Sequence, residues 1–277
     1  MTLSGTDRSR GARWVLAMGI AAACLAGLVG CSLPASSGLD ADATASPTGV
    51  GEPDVRRRAR IRLELAANYM QMGQTEVALD EVRQAIATDP SYADAYHLRG
   101  LVYMSLGELS LAEDSLKRAQ GMKPSDADIM HNYGWLLCQR QQYEQANQLF
   151  ERALAVPSYA SRSKTLMSQG LCHQRAGRVA DAQQTLLKAY EIDAGNPVVG
   201  YNLASILFDR GENKRAQFYI RRINNSDLAN AQSLWLGIKV ERALDEFVAM
   251  RQLGDQLRKR FPNAKETLAF ERGAFNE

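Results

Sequence analysis

The side chains best suited to chemistry in this 277-residue chain are its four cysteines and three histidines. Imidazoles can act as general bases or metal ligands, and thiols as nucleophiles, ligands or disulfide partners. Their spacing supports little of this. His97 and His131 fall at equivalent points of a repeat, about one repeat apart and too far to share a metal, and His173 lies on another helix. No CxxC pair, HExxH, GxSxG or glycine-rich phosphate loop occurs. Neither a catalytic residue, nor a metal, nor a cofactor is expected. Cys31 is different. It closes the stretch LAGLVGC, behind Arg8, Arg10 and Arg13 and an apolar run from Trp14 to about Val29. A charged start, a short apolar centre and small residues before a cut are the order of a secretory signal. The run is shorter than the roughly 20 residues a membrane span needs, so residues 1–30 are expected to be removed.

A cysteine directly after Leu28-Val29-Gly30 resembles the lipobox of bacterial lipoproteins. That resemblance implies cleavage between Gly30 and Cys31, a covalent lipid on Cys31, and attachment to a membrane through it. Ser32, rather than Asp, in the next position implies sorting to the outer membrane, on its periplasmic face. The signal takes three arginines and one aspartate, leaving 30 basic and 30 acidic residues. A chain so balanced has no global field to attract nucleic acid. Cys138 and Cys172 remain. They fall on neighbouring repeats, which stack roughly 10 Å apart, whereas a disulfide needs Cα atoms within about 7 Å. Two small buried hydrophobes are therefore expected.

What must position these groups is a repeat. Residues 31–54, rich in Ser, Ala, Gly, Pro and Asp, read as a flexible tether with a typical span on the order of 25 Å. From about Ala59 the composition becomes that of amphipathic helix. Small residues at 66, 100, 134, 170, 204 and 237 recur at spacings of 34, 34, 36, 34 and 33. After them come Tyr69 and Tyr103, Gly73 and Gly107, Ala78 and Ala112, and Ala85 and Ala119, before Pro90 and Pro124. This is the tetratricopeptide pattern of paired antiparallel helices, A and B, whose stacking buries a face that one pair cannot bury alone. The fold expected is all-α: a right-handed superhelical solenoid of about six tetratricopeptide helix pairs over residues 55–262, with a tail at 263–277. The fifth and sixth units are degenerate, the sixth lacking the turn glycine.

Geometry of the repeat family puts one stripe of each helix A on the concave side. The stripe reads Leu63, Ala67, Met70; His97, Leu101, Met104; His131, Trp135, Cys138; Met167, Leu171, Gln174; Tyr201, Ser205, Phe208; and Leu234, Ile238, Glu241. An apolar, aromatic groove suits an amphipathic helix or an extended hydrophobic segment of a partner. Asn132 and Asn202 lie near, but the cations that clamp a terminal carboxylate are missing, which argues against a carboxylate reader. Leu63, Met70, Leu101, Met104, His131, Asn132, Trp135, Leu171, Tyr201 and Phe208 are the candidate groove residues. The run Arg56-Arg57-Arg58, with Arg60 and Arg62, reads as a solvated helix start within reach of anionic headgroups near the anchor.

Certain segments go further than a generic repeat. HNYGWLLC at 131–138, followed by YEQANQLFERAL at 143–154, resembles the third-unit signature of the PilF/PilW family of type IV pilus biogenesis and stability lipoproteins. So do AQSLWLGIKV at 231–240, QLRKRFP at 256–262 and the expanded loop after Pro157. The resemblance implies a pilotin. Such a protein is a monomeric outer-membrane lipoprotein that binds the secretin subunit of the type IV pilus machine and promotes its targeting and multimerisation. The competing reading is a repeat lipoprotein that scaffolds peptidoglycan enzymes or another envelope assembly.

Overall fold

The computed structural model describes residues 53–275. Gly30, Cys31 and nearly all of the 31–54 segment lie outside them. Six helix pairs follow in order: α1 (Asp54–Gln71) with α2 (Thr75–Thr88), α3 (Ala93–Ser105) with α4 (Leu109–Met122), and α5 (Ala127–Gln139) with α6 (Tyr143–Ala155). Then come α7 (Arg162–Arg175) with α8 (Val179–Ile192), α9 (Pro197–Asp209) with α10 (Asn213–Asn224), and α11 (Ala231–Ala243) with α12 (Phe247–Arg260). A last helix, α13 (Lys265–Arg272), follows. The described residues are all-helical, in the tetratricopeptide arrangement.

Each pair is built around one close approach. A Cβ on Gly100 would fall 2.6 Å from Leu116 Cγ, and one on Gly170 2.7 Å from Leu186 Cγ. The small residue on helix A is therefore what lets the bulky residue 16 positions later, on helix B, sit against the helix backbone. Leu116, Phe150, Leu186 and Ile220 are all fully buried there. Between the two helices the chain turns through a left-handed residue: Gly73, Gly107, Gln141, Gly177, Gly211 and Asp245, with φ between 58° and 78°. Units three and six thus keep the turn without glycine. Asp126 and Asn196 cap α5 and α9 by accepting from two backbone amides each, and Asn230 and Ser233 form a capping box on α11.

Two expectations need correction. Cys138 on α5 and Cys172 on α7 form a disulfide, with Cα atoms 5.8 Å apart. The stacking distance of roughly 10 Å is between helix axes. Cα atoms ride about 2.3 Å off each axis, so facing residues approach to within disulfide reach. Second, residues 263–277 carry α13. It begins 34 residues after α11 and packs on α11 and α12 as a shortened seventh helix A, with Phe270 over Gly254.

Candidate functional site

In units one to five the residues expected on the stripe stand ten, six and three positions before the left-handed turn. Leu63, Met70, Leu101, Met104, Asn132, Trp135, Leu171, Tyr201 and Phe208 are half-buried, each with part of its surface open. In unit six the turn is Asp245, 34 residues after Gly211. The stripe there is Trp235, Lys239 and Arg242. Leu234, Ile238 and Glu241, one position earlier, are buried, the first two in the core and Glu241 paired with Arg221 at 2.7 Å and Gln217 at 2.8 Å. The 33-residue step to Gly237 misled the sequence register. Gly237 is small because a Cβ there would meet Asn224 and Leu253. Counting 34 from Tyr201 finds Trp235.

His131 also departs from expectation. It is 3 % exposed, with its ring 6.1 Å from that of Phe150 and Nδ1 2.9 Å from Thr165 Oγ1. Tyr159, from the expanded loop before α7, places its hydroxyl 2.9 Å from the same Thr165 oxygen. Tyr159 thus enters the seam between α5 and α7. Burial holds the His131 pKa down at about 4, with Lys164 adding to the effect, so the ring is neutral and structural. Asn132 Nδ2 donates to His97 Nε2 at 2.8 Å, which places the His97 proton on Nδ1. Burial lowers the His97 pKa as well. Both histidines tie successive A helices together.

The open part of the stripe combines aromatic faces with cations. The Arg175 guanidinium lies 4.7 Å over the Trp135 ring, and the Lys239 ammonium is 5.8 Å from the Phe208 centroid and 5.7 Å from that of Trp235. Beyond them Phe275 stacks on Trp235 at 5.5 Å and takes Arg242 over its ring at 4.0 Å. Tyr201, Ser205, Phe208, Trp235, Lys239 and Lys265 help to line a cavity of about 380 Å³ between α9, α11 and α13. At its C-terminal end the stripe carries Lys239 and Arg242 of α11, and the cavity adds Lys265 of α13 beside the acidic Asp209 and Glu266. Such a surface can hold an aromatic or acidic segment by stacking and charge.

A family model for the tetratricopeptide repeat matches residues 63–127 and 134–197. The type IV pilus assembly protein PilF of Pseudomonas aeruginosa is 29 % identical over 209 residues, 76 % of this chain and 83 % of that protein. The chain carries tetratricopeptide repeats and is a homologue of PilF. The solved P. aeruginosa PilF structure superposes with a TM-score of 0.71 at 26 % identity, over 79 % of this chain and 99 % of that one. PilW, whose structure is described as that of a widely conserved type IV pilus biogenesis factor, gives 0.70 at 27 % identity, over 76 % and 97 %.

Proposed function

We propose that this chain is an outer-membrane lipoprotein, anchored through Cys31, that binds the type IV pilus secretin subunit and promotes its targeting and multimerisation. The observation that carries the reading is the match to PilF along nearly that protein's whole solved length, in a chain whose residues 1–31 have the charge and apolar order of a secretory signal ending in a lipobox-like cysteine. A disulfide between units three and four fits an oxidising compartment outside the cytoplasm. The aromatic and cationic stripe supplies a surface for a partner segment, and the solenoid acts as a scaffold.

Deleting the gene and probing secretin in membrane fractions tests the reading. Loss of outer-membrane secretin multimers and of surface pili is expected; normal multimers and intact pili refute it. Co-purification with peptidoglycan enzymes in place of secretin would point to the envelope scaffold instead. Trp135→Ala is expected to weaken secretin capture while leaving the melting temperature within a few degrees. A collapse of the fold would place Trp135 in the core.

A further inference from the structure

The first helix presents the face on which a preceding unit would stack, and no described residue covers it. Twelve residues before each left-handed turn stand Ala95, Ile129, Thr165 and Val199, all at 0 % exposure, and Ser233 at 1 %. The equivalent residue of unit one is Ile61, exposed by 48 %. Four residues further on, Tyr133, Gln169 and Leu203 are exposed by 7 % or less, whereas Leu65 is exposed by 42 %. Arg58, Ile61 and Leu65 follow one another at spacings of 3 and 4, so they form one stripe of α1. Arg58, Ile61, Arg62 and Leu65, with Thr88, line a shallow groove of about 580 Å³ along it.

We infer that this face of α1 docks on an anionic phospholipid surface. Charge points to that occupant. The helix carries Arg56, Arg57, Arg58, Arg60 and Arg62 against Asp54 and Glu64, and Arg56 and Arg62 pair beyond it with Asp89 and Glu81. Arg57 and Arg60 hold those two acids in exposed intrahelical pairs that contribute little. Arg58 has no carboxylate partner among the described residues. The chain outside the structure points the same way. Only residues 32–52 separate Cys31 from the start of the solenoid, a length whose typical coil span is about 25 Å. With prolines at 34 and 47 and few large apolar residues, that segment lacks the pattern of a helix B that could complete the stack. A lipid on Cys31 would hold α1 at high local concentration beside headgroups, so a weak surface affinity is enough. Arginines would meet phosphates while Ile61 and Leu65 enter the boundary with the acyl chains.

The inference rests on the lipoprotein reading for its setting, so the two are tested apart. Metabolic labelling with a fatty acid reads acylation of the full chain at Cys31. Vesicle binding is read on unacylated chain 31–277 carrying Cys31→Ser, which retains all of the described solenoid. The parent is expected to sediment with phosphatidylethanolamine–phosphatidylglycerol vesicles, not with phosphatidylcholine vesicles, and less as salt is raised. Arg58→Glu is expected to weaken binding at least ~5-fold, and Ile61→Ser with Leu65→Ser at least ~10-fold, with unchanged circular dichroism and melting temperature. Failure of the parent to bind the anionic vesicles overturns the inference, as does undiminished binding by the variants. Dimerisation through Ile61 and Leu65 without vesicle binding would assign the face to a second copy and also overturn it.

Discussion

The two ends of the solenoid are finished differently. At the C-terminal end α13 lies on α11 and α12, Phe270 occupies the space over Gly254, and Gly273 at φ 67° turns the chain back so that Phe275 stacks on Trp235. At the N-terminal end α1 is tied back to its neighbour by Arg56, which reaches Asp89 and Ser91 and lies over Tyr92, yet its outer stripe keeps Ile61 and Leu65 open. A solenoid end needs either a polar surface or a cover. One end of this chain supplies its own cover. The other is half polar, with Arg62 and Asn68 where later units bury apolar residues, and half apolar. The difference separates a face built for fold stability from one left for another surface.

The largest effect tests the link between the ends. The Cys138–Cys172 bridge closes a loop across 34 residues, so the double change Cys138→Ser, Cys172→Ser is expected to lower the unfolding free energy by about 3–4 kcal/mol. Denaturant unfolding reads the loss, and hydrogen exchange should then show the two halves opening with separate stabilities. A single unchanged transition would mean that stacking alone couples the ends. Next, Phe270→Ala should cost about 2–3 kcal/mol, because it empties the cover over Gly254. Ile61→Ser with Leu65→Ser should stay within about 0.5 kcal/mol, since both are exposed. Equal losses at the two ends would abolish the distinction. The remaining effect is in pH. Burial lowers the His131 pKa to about 4, so the unfolded chain binds the proton more readily between pH 6.5 and 4. Stability should therefore fall as pH drops through that window, by roughly 1–3 kcal/mol. At the N-terminal end the Arg56 guanidinium, with help from Ser91, holds the Asp89 carboxyl near 2. Its contribution is present above about pH 4 and is lost as pH falls toward 2. Calorimetry on His131→Gln, expected to flatten the first window alone, checks the assignment.

Much of the fold is legible in the residue types. Gly100, Gly134 and Gly170 mark the sites where a helix A backbone meets a large side chain, and their 34- to 36-residue spacing alone implies stacked pairs. The register failed only where a small residue served another contact. Gly237 makes room for Asn224 and Leu253 rather than marking the repeat position, and this displaced Trp235, Lys239 and Arg242 from the stripe. The turns at Gln141 and Asp245 carried no glycine to betray them. His131 was legible as a stripe position but not as a buried one, because the tyrosine that helps to close its seam enters from a loop 28 residues away.

The sequence by itself determined the repeat and the pairing of helices, because local periodicity and small-residue spacing encode contacts made within one unit. Only the tertiary structure decided which residues of those units meet. Stacking brings Cys138 and Cys172 into bonding range, sets Lys239 between Phe208 and Trp235, folds Phe275 onto the groove and leaves Ile61 and Leu65 uncovered. The physical reason is that distances between units depend on helix axes, radii and end effects, and these no longer follow the period along the chain.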